Sequence, residues 1–98
     1  MLLMTLISAT LAVAQPAPRV DAAATLAAPG EARRAVLDGR SWSCGPDGAC
    51  FARGAGASQP ALRECRRFVA RFGPVSRYAR DGVALTGPEL AQCNAAAR

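Results

Sequence analysis

Four cysteines, Cys44, Cys50, Cys65 and Cys93, follow an uncharged apolar opening of the chain, and this combination limits the compartment and the kind of domain together. From Leu2 to Ala14 there is no charged residue, and the run stops at Ala12-Val13-Ala14. A short apolar segment ending in Ala-x-Ala reads as a secretory signal peptide, residues 1–14, cleaved between Ala14 and Gln15. A membrane anchor needs about 20 apolar residues, and Gln15, Pro16 and Pro18 end this run too early. A periplasmic or secreted location follows as the expectation. There cysteines are oxidised rather than kept as thiols.

Removing residues 1–14 leaves 98 − 14 = 84 residues. One hydrophobic core of that size is thin, and cross-links supply stability that burial alone does not. Residues 15–31 are Ala- and Pro-rich with almost nothing bulky to bury, which reads as a disordered arm. Residues 32–98 are then the two-disulfide domain.

Within it, apolar segments flank Gly45-Pro46-Asp47-Gly48, a hairpin signal because Pro presets one turn dihedral and Gly accepts positive φ. Strands are expected over Arg40 to Cys44 and Ala49 to Arg53, with Asp38-Gly39 a further turn or bulge. After the glycine loop 54–57, Ser58 is the expected N-cap of a helix with Pro60 in its first turn, running to about Phe72. At 100° per residue Leu62, Cys65, Val69 and Phe72 share one face with Phe68 at its edge. Gly73 and Pro74 end the helix. Val75 to Arg80 is a third strand closed by Asp81-Gly82, and Thr86-x-x-Glu89 is a capping box opening a short helix from Pro88 to about Ala97. The fold class is therefore α+β: a small disulfide-stapled domain with a β-hairpin, then helix, strand and short helix.

Two segments echo each other. Phe51-Ala52-Arg53 leads to Ser58, Pro60, Leu62 and Cys65, and Tyr78-Ala79-Arg80 leads to Thr86, Pro88, Leu90 and Cys93. Four cysteines allow three pairings. The hairpin favours Cys44 with Cys50, and the echo favours Cys65 with Cys93 between two helices. Trp42 is expected to cover the hairpin disulfide, and Asn94 to end or brace the last helix through its side-chain amide.

Chemistry-bearing patterns are sparse. Cys44 and Cys50 lack the Cys-x-x-Cys spacing of a redox centre, and zinc ligand pairs sit two to four residues apart. The absence of histidine excludes Ser-His-Asp and Cys-His catalysis. No catalytic residue, metal or cofactor is expected, and the chain is read as a non-enzyme. All 12 positive residues are arginine against seven acids, a net charge of +5. Arg63, Arg66, Arg67 and Arg71 occupy the polar face of the first helix, with Arg77 and Arg80 as candidate additions and Glu64 offsetting one charge. Such a face keeps a helix solvated or meets an anionic envelope surface. Nucleic acid is not an expected partner, since export separates the chain from it and no exposed aromatic ladder accompanies the arginines.

Trp42-x-Cys44, Cys50, Pro60 with Cys65, Gly73-Pro74-Val75, Gly82, Leu85, Leu90 and Cys93-Asn94 together resemble a family of small exported four-cysteine proteins from Gram-negative, alphaproteobacterial bacteria, a domain of unknown function. The resemblance covers Val36 to Asn94. It implies a signal peptide, an extracytoplasmic location and a small α+β unit, and it carries over no functional residue. The abundance of arginine departs from that pattern. The expected role is an exported, non-catalytic structural or interaction module of the cell envelope; the alternatives are a module binding anionic envelope material through the arginine helix face, or an inhibitor or adaptor of another envelope protein.

Overall fold

The computed structural model describes residues 20–56 and 58–97; the expected signal peptide and its cleavage point lie outside them. Six strands and two helices follow in the order β1 (Ala22–Leu26), β2 (Arg33–Leu37), β3 (Arg40–Cys44), β4 (Ala49–Arg53), α1 (Ala61–Phe72), β5 (Val75–Arg80), β6 (Val83–Ala84) and α2 (Gly87–Asn94). The strands form one sheet in the order β2-β3-β4-β1-β5-β6, every pairing antiparallel. The α+β class, the central hairpin, the third strand and both helices match the expectation.

The expected arm is corrected by β1. Ala22–Leu26 lies between β4 and β5 in the middle of the sheet, with Ala22, Ala24 and Leu26 buried. Alanines carry little hydrophobic signal and low strand preference. Their smallness suits this position, because the large core residues Trp42, Phe68 and Tyr78 come from neighbouring elements of the same cluster. Since β4 and β5 both run antiparallel to β1, they are parallel to one another. β4, α1 and β5 are therefore a split β-α-β unit with β1 inserted.

Two tight hairpins follow from local chemistry. Asp38-Gly39, at φ 50° and 82°, joins β2 to β3, and Asp81-Gly82, at φ 51° and 80°, joins β5 to β6. Positive φ at both central residues is the type I′ turn, for which Asp-Gly is a preferred pair because Gly has no Cβ to clash and Asp tolerates the left-handed region. β2 is not among the expected strands, although Asp38-Gly39 is among the expected turns. In β5 the partners step from Leu26 with Val75 to Thr25 with Arg77, so Ser76 is the extra residue of a bulge. The bulge lets Val75 and Tyr78, three residues apart, both face the core.

α1 begins differently from the expectation. Pro60 is the N-cap, with no side-chain cap, so Ser58 does not have that role. Gly73 closes the helix at φ 103°, its N–H donating to the Val69 carbonyl. The buried face of α1 is Glu64, Cys65, Phe68, Val69 and Phe72; Leu62 is only half-buried. Phe68 is central rather than marginal, its ring 4.5 Å from Trp42, 4.6 Å from Phe72 and 5.9 Å from Tyr78. Such offset aromatic contacts add about 0.5–1.5 kcal/mol per pair beyond area burial. α2 opens on the expected capping box, with Thr86 and Glu89 bonding reciprocally.

The echo between the two halves does not extend to the strands. Phe51 is exposed whereas Tyr78 is buried, and β6 intervenes before α2 but has no counterpart before α1 among the described residues. The caps differ as well, Pro60 against Thr86. Only the cysteine placement survives as a correspondence.

Candidate interaction surfaces

Both disulfides form as the hairpin and helix arguments favour: Cys44 with Cys50, and Cys65 with Cys93. Cys44 and Cys50 are direct cross-strand partners with Cα atoms 4.0 Å apart. The second bridge ties α1 to α2, its Cα atoms 5.6 Å apart. All four cysteines are thereby consumed, and all four are buried in the core. Among the described residues no group of three His, Cys, Asp or Glu side chains is placed to hold a metal.

The arginines of α1 divide. Arg63, Arg66, Arg67 and Arg71 are all exposed, as helical phase requires once Cys65, Phe68 and Phe72 point inward. Arg67 is committed: its Nε donates to Asp38 Oδ2 at 2.7 Å. That hydrogen bond is the main reason the Asp38 carboxyl is held below its ordinary range; desolvation opposes it, and Gln59 and the charges of Arg67 and Arg63 add to it. Among the described residues, Arg63, Arg66 and Arg71 have no ion-pair partner. Pro60, Leu62 and Ala70 line a shallow groove with Arg63, Arg66 and Arg67, so the cationic face has apolar ground between its charges.

Arg77, Arg80 and Glu64 do not belong to this face. Arg77 lies on β5, exposed and paired in register with Thr25. Glu64 points into the molecule, 5% exposed, and Arg40 on β3 is equally buried. Arg40 Nε lies 2.6 Å from Glu64 Oε1, and Arg80 Nη1 lies 3.3 Å from Glu64 Oε2. Arg40 Nη1 also donates to the Gly54 carbonyl at 2.8 Å, and Arg80 Nη1 donates to the Gln59 carbonyl. Two guanidiniums thus compensate one carboxylate where a lone buried charge would be prohibitively costly. The Tyr78 hydroxyl is buried beside this cluster, and desolvation first, then the Glu64 charge, pushes its pKa upward. Arg40 was not singled out from the sequence. Its signal was present in strand alternation, since Arg40, Trp42 and Cys44 share one face of β3.

A second surface went unrecognised. Both helices cover the same side of the sheet, and the other side is open. In register across all six strands that side runs Arg34, Ser43, Phe51, Ala23, Ala79 and Ala84, with Ala79 itself buried. A second row runs Val36, Ser41, Arg53. Phe51 is 52% exposed and Val36 72%. A broad depression of about 770 Å³ lies between Arg34 and Arg53 over Ser41 and Ser43.

A four-cysteine α+β domain with one open sheet face and a cationic helix face is the class of protein these features define. The family model described as a family of unknown function (DUF8200) matches residues 5–95, and the chain belongs to that family. No curated protein and no solved structure matches the chain.

Proposed function

We propose that this chain is an exported, non-catalytic interaction module of the Gram-negative cell envelope, and that α1 is the element that meets anionic envelope material. The single observation carrying the reading is the set Arg63, Arg66 and Arg71, exposed together on one rigid helix and without ion-pair partners among the described residues. Arg67 contributes less, because Asp38 already engages it. The two disulfides agree with an oxidising compartment. Pinning α1 to α2 through Cys65 and Cys93 holds the helix backbone that carries the three arginines in place, so little backbone entropy is lost on contact.

The test is co-sedimentation of the oxidised protein with phosphatidylglycerol-containing vesicles and with neutral phosphatidylcholine vesicles at low salt. Retention on the anionic vesicles alone is expected, declining as salt shortens the screening length and largely lost in Arg63→Gln/Arg66→Gln/Arg71→Gln. Equal retention on both vesicle types, or an unaffected triple variant, would sink the reading.

A further inference from the structure

We infer that the open face of the sheet is a self-association surface, on which a second copy of this chain seats to form a weak, twofold-symmetric dimer. The two halves of that face are complementary in size. In one row β2, β3 and β4 carry Arg34, Ser43 and Phe51, whereas β1, β5 and β6 carry Ala23, Ala79 and Ala84; the large exposed side chain of the second half is Arg77, in the row of Thr25. The centre of the strand order falls between β4 and β1.

A twofold axis parallel to the strands at that centre lays β4 over β1 of the second copy, β3 over β5 and β2 over β6. Phe51 then faces Ala23 of the second copy, Ser43 faces Ala79 and Arg34 faces Ala84. A large side chain meets a small one at the β4 and β1 positions nearest the axis, where the angle between two aligned sheets displaces partners least. Ala23 and Ala79 line a hollow of about 200 Å³ with Arg77 and Asp81 at its edge, which can receive the Phe51 ring. Sheets pack face to face about 10 Å apart with interdigitated side chains, and rows of bulk against rows of alanine satisfy that spacing.

Charge points the same way. On each copy the guanidiniums Arg34 and Arg53 border one depression, and the carboxylates of Asp21 and Asp81 border the other together with the single guanidinium of Arg77. The twofold brings unlike depressions together, so the cations of one copy approach Asp81 of its partner and not their own equivalents. Area sets the strength. Five strands about 16 Å long and the two-residue β6, spaced about 4.8 Å apart, give roughly 420 Å² of projected face per copy, below the about 1,000 Å² in total of a stable specific interface and in the range of weak, transient ones. The dimer is accordingly reversible rather than obligate. It leaves the two α1 faces outward on opposite sides, and it stands independently of what those faces bind.

Sedimentation velocity on the oxidised protein from low micromolar to near-millimolar concentration, at about 0.15 M salt to screen the net charge, tests it. A concentration-dependent monomer–dimer equilibrium is expected. Phe51→Asp should raise the dissociation constant at least about tenfold, as for a central aromatic anchor, and Ala23→Arg, which fills the opposing hollow, should act likewise. Phe51→Ser, resembling the neighbouring outward Ser43, is the second variant if the aspartate disturbs folding by circular dichroism, and it carries the same expectation. Arg71→Gln on α1 should leave the equilibrium unchanged. A chain monomeric throughout the range, or a dimer indifferent to folded Phe51 variants, overturns the inference.

Discussion

The side-chain amide of Asn94 bonds both backbone groups of Val75: its Oδ1 accepts from the Val75 N–H and its Nδ2 donates to the Val75 carbonyl, each at 2.8 Å. The last residue of α2 therefore serves as one further strand residue beside the start of β5. It braces helix to sheet one position after Cys93 binds α2 to α1.

Asn94→Ala strands a donor and an acceptor in a partly buried place, which costs about 1–3 kcal/mol for each group left unsatisfied, less whatever water recovers. A loss of about 2 kcal/mol in chemical unfolding is expected. Asn94→Asp, which keeps the acceptor and removes the donor, should destabilise as well, because a carboxylate then faces the Val75 carbonyl. Unfolding midpoints close to that of the parent would show the clamp to be unimportant.

Glu64 holds the charge balance of the interior. Glu64→Gln leaves Arg40, 5% exposed, without its counter-ion 2.6 Å away, and breaking such a buried pair on one side costs about 3–5 kcal/mol. The same substitution should perturb Arg80 less, since that side chain is partly exposed and retains the Gln59 carbonyl. Denaturant titration of Glu64→Gln beside Arg80→Gln compares the two, and the larger loss must fall on Glu64.

The two disulfides differ in what they hold. The Cys65–Cys93 bridge closes a 28-residue separation and Cys44–Cys50 one of 6. Chain-entropy arguments give about 3.6 kcal/mol for the first and about 2.2 kcal/mol for the second. Cys65→Ala/Cys93→Ala should lower the thermal midpoint more than Cys44→Ala/Cys50→Ala, with α2 the first element to lose amide protection. The reverse ranking would place the main staple in the hairpin.

Acid sensitivity follows from Asp38. Its folded carboxyl titrates below the ordinary 3.8, chiefly because Arg67 donates to it. A depressed folded pKa contributes stability that is present above the unfolded value and is lost as pH falls through the folded one. Stability should therefore decline below about pH 4. Asp38→Asn should flatten that part of the decline without altering the slope near neutrality. Urea midpoints measured between pH 2 and 7 provide the check, and an unchanged acid limb would exclude a role for the Asp38–Arg67 pair.

Elements with strong local chemistry were legible from the residues alone. Pro46-Asp47-Gly48 located the central hairpin, Thr86 and Glu89 located the start of α2, and Gly73-Pro74 located the end of α1, because turn and cap preferences act within a few residues. The same locality explains the Cys44–Cys50 disulfide across the hairpin; the Cys65–Cys93 disulfide was indicated by matched helix positions, but it forms only where tertiary packing brings α1 against α2. β1 was not legible. Its alanines acquire meaning only between β4 and β5, where small side chains leave room for Trp42, Phe68 and Tyr78.

The surfaces divide along the same line. Helical phase alone exposes Arg63, Arg66, Arg67 and Arg71, since four cations cannot occupy the side that buries Cys65 and Phe72. Only tertiary structure removed Arg67 to Asp38, turned Glu64 inward to Arg40 and Arg80, and separated Arg77 onto the open side of the sheet. The ion pairs join residues 16 to 29 positions apart and Arg77 takes its place beside Thr25 from still farther along the chain, and such long-range pairing has no periodicity to read. The open face with Phe51 against Ala23 is of the same kind: each strand showed its alternation, but the row exists only once six strands are in register.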